Sequence, residues 1–134
     1  MKIIAAAALA LALSAPAFPG TLSYQCHIGQ QLEGKDDGTL ARPQKPWLEG
    51  ARFAIDRQTG KIVGPEAGAW TFADSTFVVH ARGNDSNSFV VVATAQAAGG
   101  GVHVTVIAVR EYQPGKKKAF LATSGAGAYA GLCE

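Results

Sequence analysis

Between Thr76 and Ser124 one pattern recurs four times: a run of β-branched and small apolar residues, then a break made of turn formers. The runs are Thr76 to Arg82, Ser88 to Ala98, Val102 to Tyr112 and Lys118 to Ser124. The breaks are Gly83-Asn84-Asp85-Ser86-Asn87, Gly99-Gly100-Gly101 and Gln113-Pro114-Gly115-Lys116. Val, Ile, Thr and Phe suit a pleated backbone, whereas Gly, Asn, Asp and Pro supply the dihedrals of turns. A parallel crossover needs about a dozen residues or more, so strands linked this closely run antiparallel. The chain is therefore expected to contain a four-stranded meander.

A trial register pairs Arg82 with Ser88, Ala98 with Val102 and Gln113 with Lys116. It puts Phe77, Val79, Phe89, Val91, Ile107, Val109, Phe120 and Ala122 on one face, which reads as core. The other face mixes Val90, Val92, Val104 and Val106 with His80, Arg82, Thr94, Gln96 and Arg110. That face is too apolar for plain exposure. A bulge would exchange parts of the two sets, because side chains alternate with period two.

Upstream, Leu22, Tyr24, Cys26 and Ile28 alternate with polar residues, predicting a half-buried strand. From Gly29 to Pro46 the periodicity stops, and a loop of about 18 residues is expected, long enough to be functional. Trp47 to Asp56 reads as a strand with Ala51, Phe53 and Ile55 on one face. Asp56 to Lys61 makes a hairpin turn, Lys61 to Gly64 returns, and Ala69 to Ala73 is a short strand through Trp70 and Phe72.

Met1-Lys2, the apolar run Ile3 to Leu13 and Ala15-Pro16-Ala17 have the three parts of a secretory signal peptide. The run is too short for a spanning helix, which needs about 20 apolar residues. Residues 1–17 are expected to be cleaved, leaving residues 18–134 as one domain without a stable membrane anchor. Without Lys2 the chain has 11 basic and 10 acidic residues, a balance that does not point to nucleic acid. Export permits disulfides, so Cys26 and Cys133 are expected to bridge and tie the first strand to the last. The fold class is then all-β: about eight antiparallel strands in a small up-and-down barrel or barrel-like sandwich.

Chemical signatures are few. His27, His80 and His103 fall far apart in the trial register, and no cofactor or metal is expected. Ser124-Gly125-Ala126-Gly127 is a small-residue stretch, not a nucleophile elbow. Glu49 and Glu66, each near a tryptophan, are the carboxylates a weak hydrolase would use. Asn84-Asp85-Ser86 matches a glycosylation sequon.

With its signal peptide, Tyr24-Gln25-Cys26 near the start and Ala130-Gly131-Leu132-Cys133 at the end, the chain resembles small periplasmic proteins of Gram-negative bacteria. In size and build it is similar to the periplasmic inhibitors of c-type lysozyme. That family's Ser-Gly-x-Arg/Lys-Tyr loop is absent, since Ser124-Gly125-Ala126-Gly127-Ala128-Tyr129 has no basic residue. No functional residue carries over.

The expectation is a periplasmic or secreted binding module without enzymatic activity. Its contacts would be Asp36, Asp37 and Arg42 in the long loop, Trp47 beside it, and His80, Arg82 and Arg110 on the mixed face. The partner would be a protein or a small apolar or carbohydrate ligand. The alternatives are an envelope homo-oligomer with the mixed face buried between protomers, and the hydrolase.

Overall fold

The computed structural model describes residues 22–66 and 74–134. The signal segment, its cleavage site and the strand expected over Ala69 to Ala73 lie outside the described residues.

The described residues form nine strands and no helix: β1 Ser23–Gly34, β2 Leu40–Ala41, β3 Arg52–Asp56, β4 Ile62–Val63, β5 Thr76–Asn84, β6 Asn87–Gln96, β7 Val102–Val109, β8 Lys118–Ser124 and β9 Gly127–Cys133. They build one antiparallel sheet in the order β4-β3-β1-β9-β8-β7-β6-β5, with β2 paired to the end of β1. The main order is an up-and-down meander whose last strand returns to pair with the first. The sheet curls into a half-barrel with β4 and β5 at the two ends of the order. Cys26 and Cys133 lie directly opposite on β1 and β9 and are joined by a disulfide, with Cα atoms 4.0 Å apart. Such bridges persist in oxidising compartments, which fits an exported chain. Among the described residues no helix is long and apolar enough to cross a membrane.

The core lies on the concave face. Phe89, Val91, Ile107, Val109, Phe120 and Ala122 are buried there, and Phe77 and Val79 pack against them. They meet Tyr24, Ile28, Phe53, Ile55 and Ile62 from the other half of the sheet. Two edge-to-face ring pairs cross the concavity: Tyr24 with Phe89 at 5.2 Å, and Phe53 with Phe120 at 5.4 Å. Curling the sheet therefore does what a second layer does in a sandwich: it brings apolar faces together and removes them from water.

Observed pairing follows the trial register for Val79 with Val91 and Thr105 with Ser124. Between β6 and β7 the register differs by two, with Gln96 opposite Val102. There the loop takes in Ala98, and Ala97 N–H donates to Gly101 O at 2.8 Å. An even shift leaves every side chain on its expected face.

Two bulges account for the larger departures. At Gly29–Gln30 the pairing of β1 with β9 slips by one residue. The inward set changes from Tyr24, Cys26 and Ile28 to Gln31, and β1 continues to Gly34. The expected loop from Gly29 is thus mostly a strand and a hairpin, closed by Glu33 opposite Ala41. At His80 the pairing of β5 slips likewise, so Arg82 stands opposite buried Phe89. Arg82 therefore leaves the outer face, and its Nη1 donates to Arg57 O at 3.1 Å across the end of the curl.

Two element boundaries also differ. Residues 46–50 form a turn, so β3 begins at Arg52. The Gly- and Ala-rich residues after Ser124 form a strand, β9, which low β-propensity hides in the sequence. Ser124 pairs with Gly127 across a two-residue turn, and Gly125 at φ 57° supplies the positive φ that its first central position needs.

Candidate functional site

Residues 42–50 cross beside the second half of β1 and hold Trp47 out into solvent, 66% exposed. Leu48, its neighbour, is fully buried and anchors the segment in the core. Burying such a side chain contributes roughly 1.5–3 kcal/mol. Leu48 N–H donates to Gln31 Oε1 at 3.0 Å, and Gln31 N–H donates to Glu49 Oε1 at 3.3 Å. Gly50 N–H donates to Ile28 O at 2.7 Å. Arg42 closes the segment by a two-pronged grip on Glu49, Nε to Oε1 at 3.2 Å and Nη2 to Oε2 at 2.6 Å. The Arg42 guanidinium holds the Glu49 carboxyl below its ordinary range, and Glu49 raises Arg42 in turn. Trp47 is a large apolar side chain facing water from a segment whose backbone is tied down on both sides.

The seven expected contact residues do not gather in one place. Arg42 and Trp47 share the 42–50 segment. Asp36 and Asp37 sit in the hairpin turn between β1 and β2, where Asp37 Oδ1 accepts from Thr39 N and Oγ1 at 3.0 and 2.6 Å. Those bonds hold the Asp37 carboxyl below its usual range. His80 occupies the β5 bulge. Arg82 and Arg110 lie toward the opposite end of the sheet, where β1 begins. Glu49 is engaged by Arg42, and its lowered pKa is the reverse of what a general acid needs. Glu66 is exposed beyond β4.

Among the described residues two partly buried polar clusters lie at the ends of the concave face. At the end where β1 begins, the Tyr24 hydroxyl donates to Glu111 and the Arg57 guanidinium lies over the Tyr24 ring, 4.7 Å from its centroid. Arg57 Nη2 is 3.7 Å from Glu111 Oε1. Burial and then the Glu111 bond push the Tyr24 phenol well above its ordinary pKa. At the other end, Ser124 Oγ lies 3.0 Å from His103 Nε2 and 2.8 Å from Thr105 Oγ1. His103 is thus hydrogen-bonded inside the curl, and it faces Ala95, two residues away from its partner in the trial register. A serine beside a histidine has part of a nucleophile's equipment. Here the other hydroxyl partner is a fully buried threonine, and the bonds satisfy polar groups inside the curl.

Sequence reading singled out Trp47 as a contact and did not single out Gln31, whose side chain holds Leu48 beside it. The signal was hidden by the Gly29 bulge, which turns Gln31 inward. Among the described residues no group of three or more His, Cys, Asp or Glu side chains is placed to hold a metal ion. No protein-family model, no curated protein and no solved structure matches this chain.

Proposed function

We propose that the protein is a periplasmic or secreted binding module without enzymatic activity, and that its partner docks on Trp47. One observation carries the reading: an exposed tryptophan stands on a segment anchored by buried Leu48 and tied down by Gln31, Glu49 and Arg42. Tryptophan and arginine are the commonest energetic anchors of interfaces. A segment ordered before binding loses little entropy when it binds. The signal-like N-terminus and the disulfide support an exported location.

The test compares wild type, Trp47→Ala and the outer-face control Val104→Thr as bait in extract from the exported compartment of the source cells. Trp47→Ala should lose captured species that Val104→Thr retains, with thermal unfolding unchanged in both. An identical captured set for Trp47→Ala and wild type overturns the reading.

A second reading has its own support. On the outer face Val78, Val92 and Val106 form a row across β5, β6 and β7, and Val104 and Leu121 stand exposed beside it. Such a face suits burial between protomers of a homo-oligomer. Sedimentation as a strict monomer at micromolar concentration removes this reading.

A further inference from the structure

On the convex side, where β3, β1 and β9 run together, a groove of about 480 Å³ lies over the Cys26–Cys133 bridge. It is built from two cross-strand rows. Arg52, His27 and Leu132 make the first, and Ala54, Gln25 and Glu134 the second. The end of β4 with Pro65 walls one side, and Lys117 overhangs the other from the loop before β8.

The charges in this groove are not used by the fold. Among the described residues neither Arg52 nor Lys117 makes an ion pair or a side-chain hydrogen bond. Among the described lining residues Glu134 is the one acidic side chain, and no ion pair joins it to either cation. Between the strands that carry the cations lies Leu132 on β9, and Val63 stands beyond Arg52 on the β4 wall; both are left substantially exposed. An exposed cation does little for stability on its own, but two cations flanking an apolar concavity can grip one anionic group from both sides. The volume falls within the range of small-molecule sites, about 300–1,000 Å³.

We propose that this groove binds a small organic anion, a carboxylate or phosphate ester on a short apolar body. Arg52 and Lys117 hold the anionic group, and the apolar body lies along Leu132. The site is separate from Trp47 and does not depend on it.

The test is calorimetric titration of the purified, disulfide-bonded protein with octanoate, octyl phosphate, octanol and octylammonium. One or both anions should bind saturably at a single site, and whichever binds more tightly identifies the anionic group. Octanol and octylammonium should bind at least about tenfold more weakly. Arg52→Gln should weaken the anion about tenfold, and Lys117→Gln about threefold. Both positions are at the surface, and unchanged thermal unfolding confirms the fold. Trp47→Ala should bind the anion like wild type, so failure here is distinguishable from failure of the Trp47 reading. Octanol binding as tightly as the anions, an Arg52→Gln, Lys117→Gln double variant that binds the anion like wild type, or no saturation by about 10 mM overturns the proposal.

Discussion

Leu48 N–H donates to the side-chain oxygen of Gln31 at 3.0 Å, joining a core-facing strand position to the segment that presents Trp47. Both residues are buried, so nothing else replaces the bond if it is lost. Gln31→Met should destabilise the protein by about 1–3 kcal/mol, the cost of leaving a buried N–H unpaired. It should also weaken partner capture while leaving Trp47 in place. Urea unfolding checks the first effect; an unchanged midpoint would show that the bond does not hold the segment.

Acid should loosen the same segment. The Glu49 carboxyl is depressed in the folded state by Arg42, so its contribution is present above the ordinary carboxylate pKa of 4.5. It is lost as pH falls through the lower folded value. In a Trp70→Phe background, Trp47 fluorescence anisotropy should drop below about pH 4. Glu49→Gln should show the loosened signal at neutral pH and little further change in acid.

Alkali should act at the other end of the curl. Tyr24 is raised by burial and by its bond to Glu111, so the folded state keeps the phenol neutral while the unfolded chain ionises near pH 10. This contribution is complete below pH 10 and is lost as pH rises above it. Tyr24→Phe should cost about 1.5–3 kcal/mol at neutral pH, as expected for a hydrogen bond to a charged group. The gap to wild type should narrow above about pH 10. A gap that stays constant with pH would contradict the assignment.

Gly131 lies where β9 crosses β1, and a Cβ there would stand 2.0 Å from His27 O and 2.7 Å from the Phe120 ring. The first obstacle is backbone in a paired strand, which cannot swing aside as a side chain can. Gly131→Ala should therefore destabilise by about 3 kcal/mol or more. Calorimetric unfolding that finds less than about 1 kcal/mol would mean the two strands separate there at little cost.

The disulfide closes a separation of 107 residues. Replacing both cysteines by alanine should cost about 2–5 kcal/mol, mainly by freeing the unfolded chain. Replacing either one alone should cost at least as much. A double variant as stable as wild type would show that β1–β9 pairing alone closes the fold.

Amino-acid order alone determined the all-β class, the meander from Thr76 to Ser124, the inward set led by Phe89, Val91, Ile107 and Val109, and the pairing of Cys26 with Cys133. Each rests on local signals: alternation, turn chemistry and an even cysteine count. Trp47 was singled out as well, but as the start of a strand; the structure places it in a turn before β3, exposed to solvent. Tertiary structure alone decided which residues changed face. The bulges at Gly29 and His80 each insert one unpaired residue, and a slip of one reverses every later side chain. That turned Gln31 inward to hold Leu48 and sent Arg82 across to Arg57, contacts with no local signature. The groove holding Arg52 and Lys117 was equally hidden, because its residues come from distant stretches that become neighbours only when β9 pairs with β1 and β1 with β3.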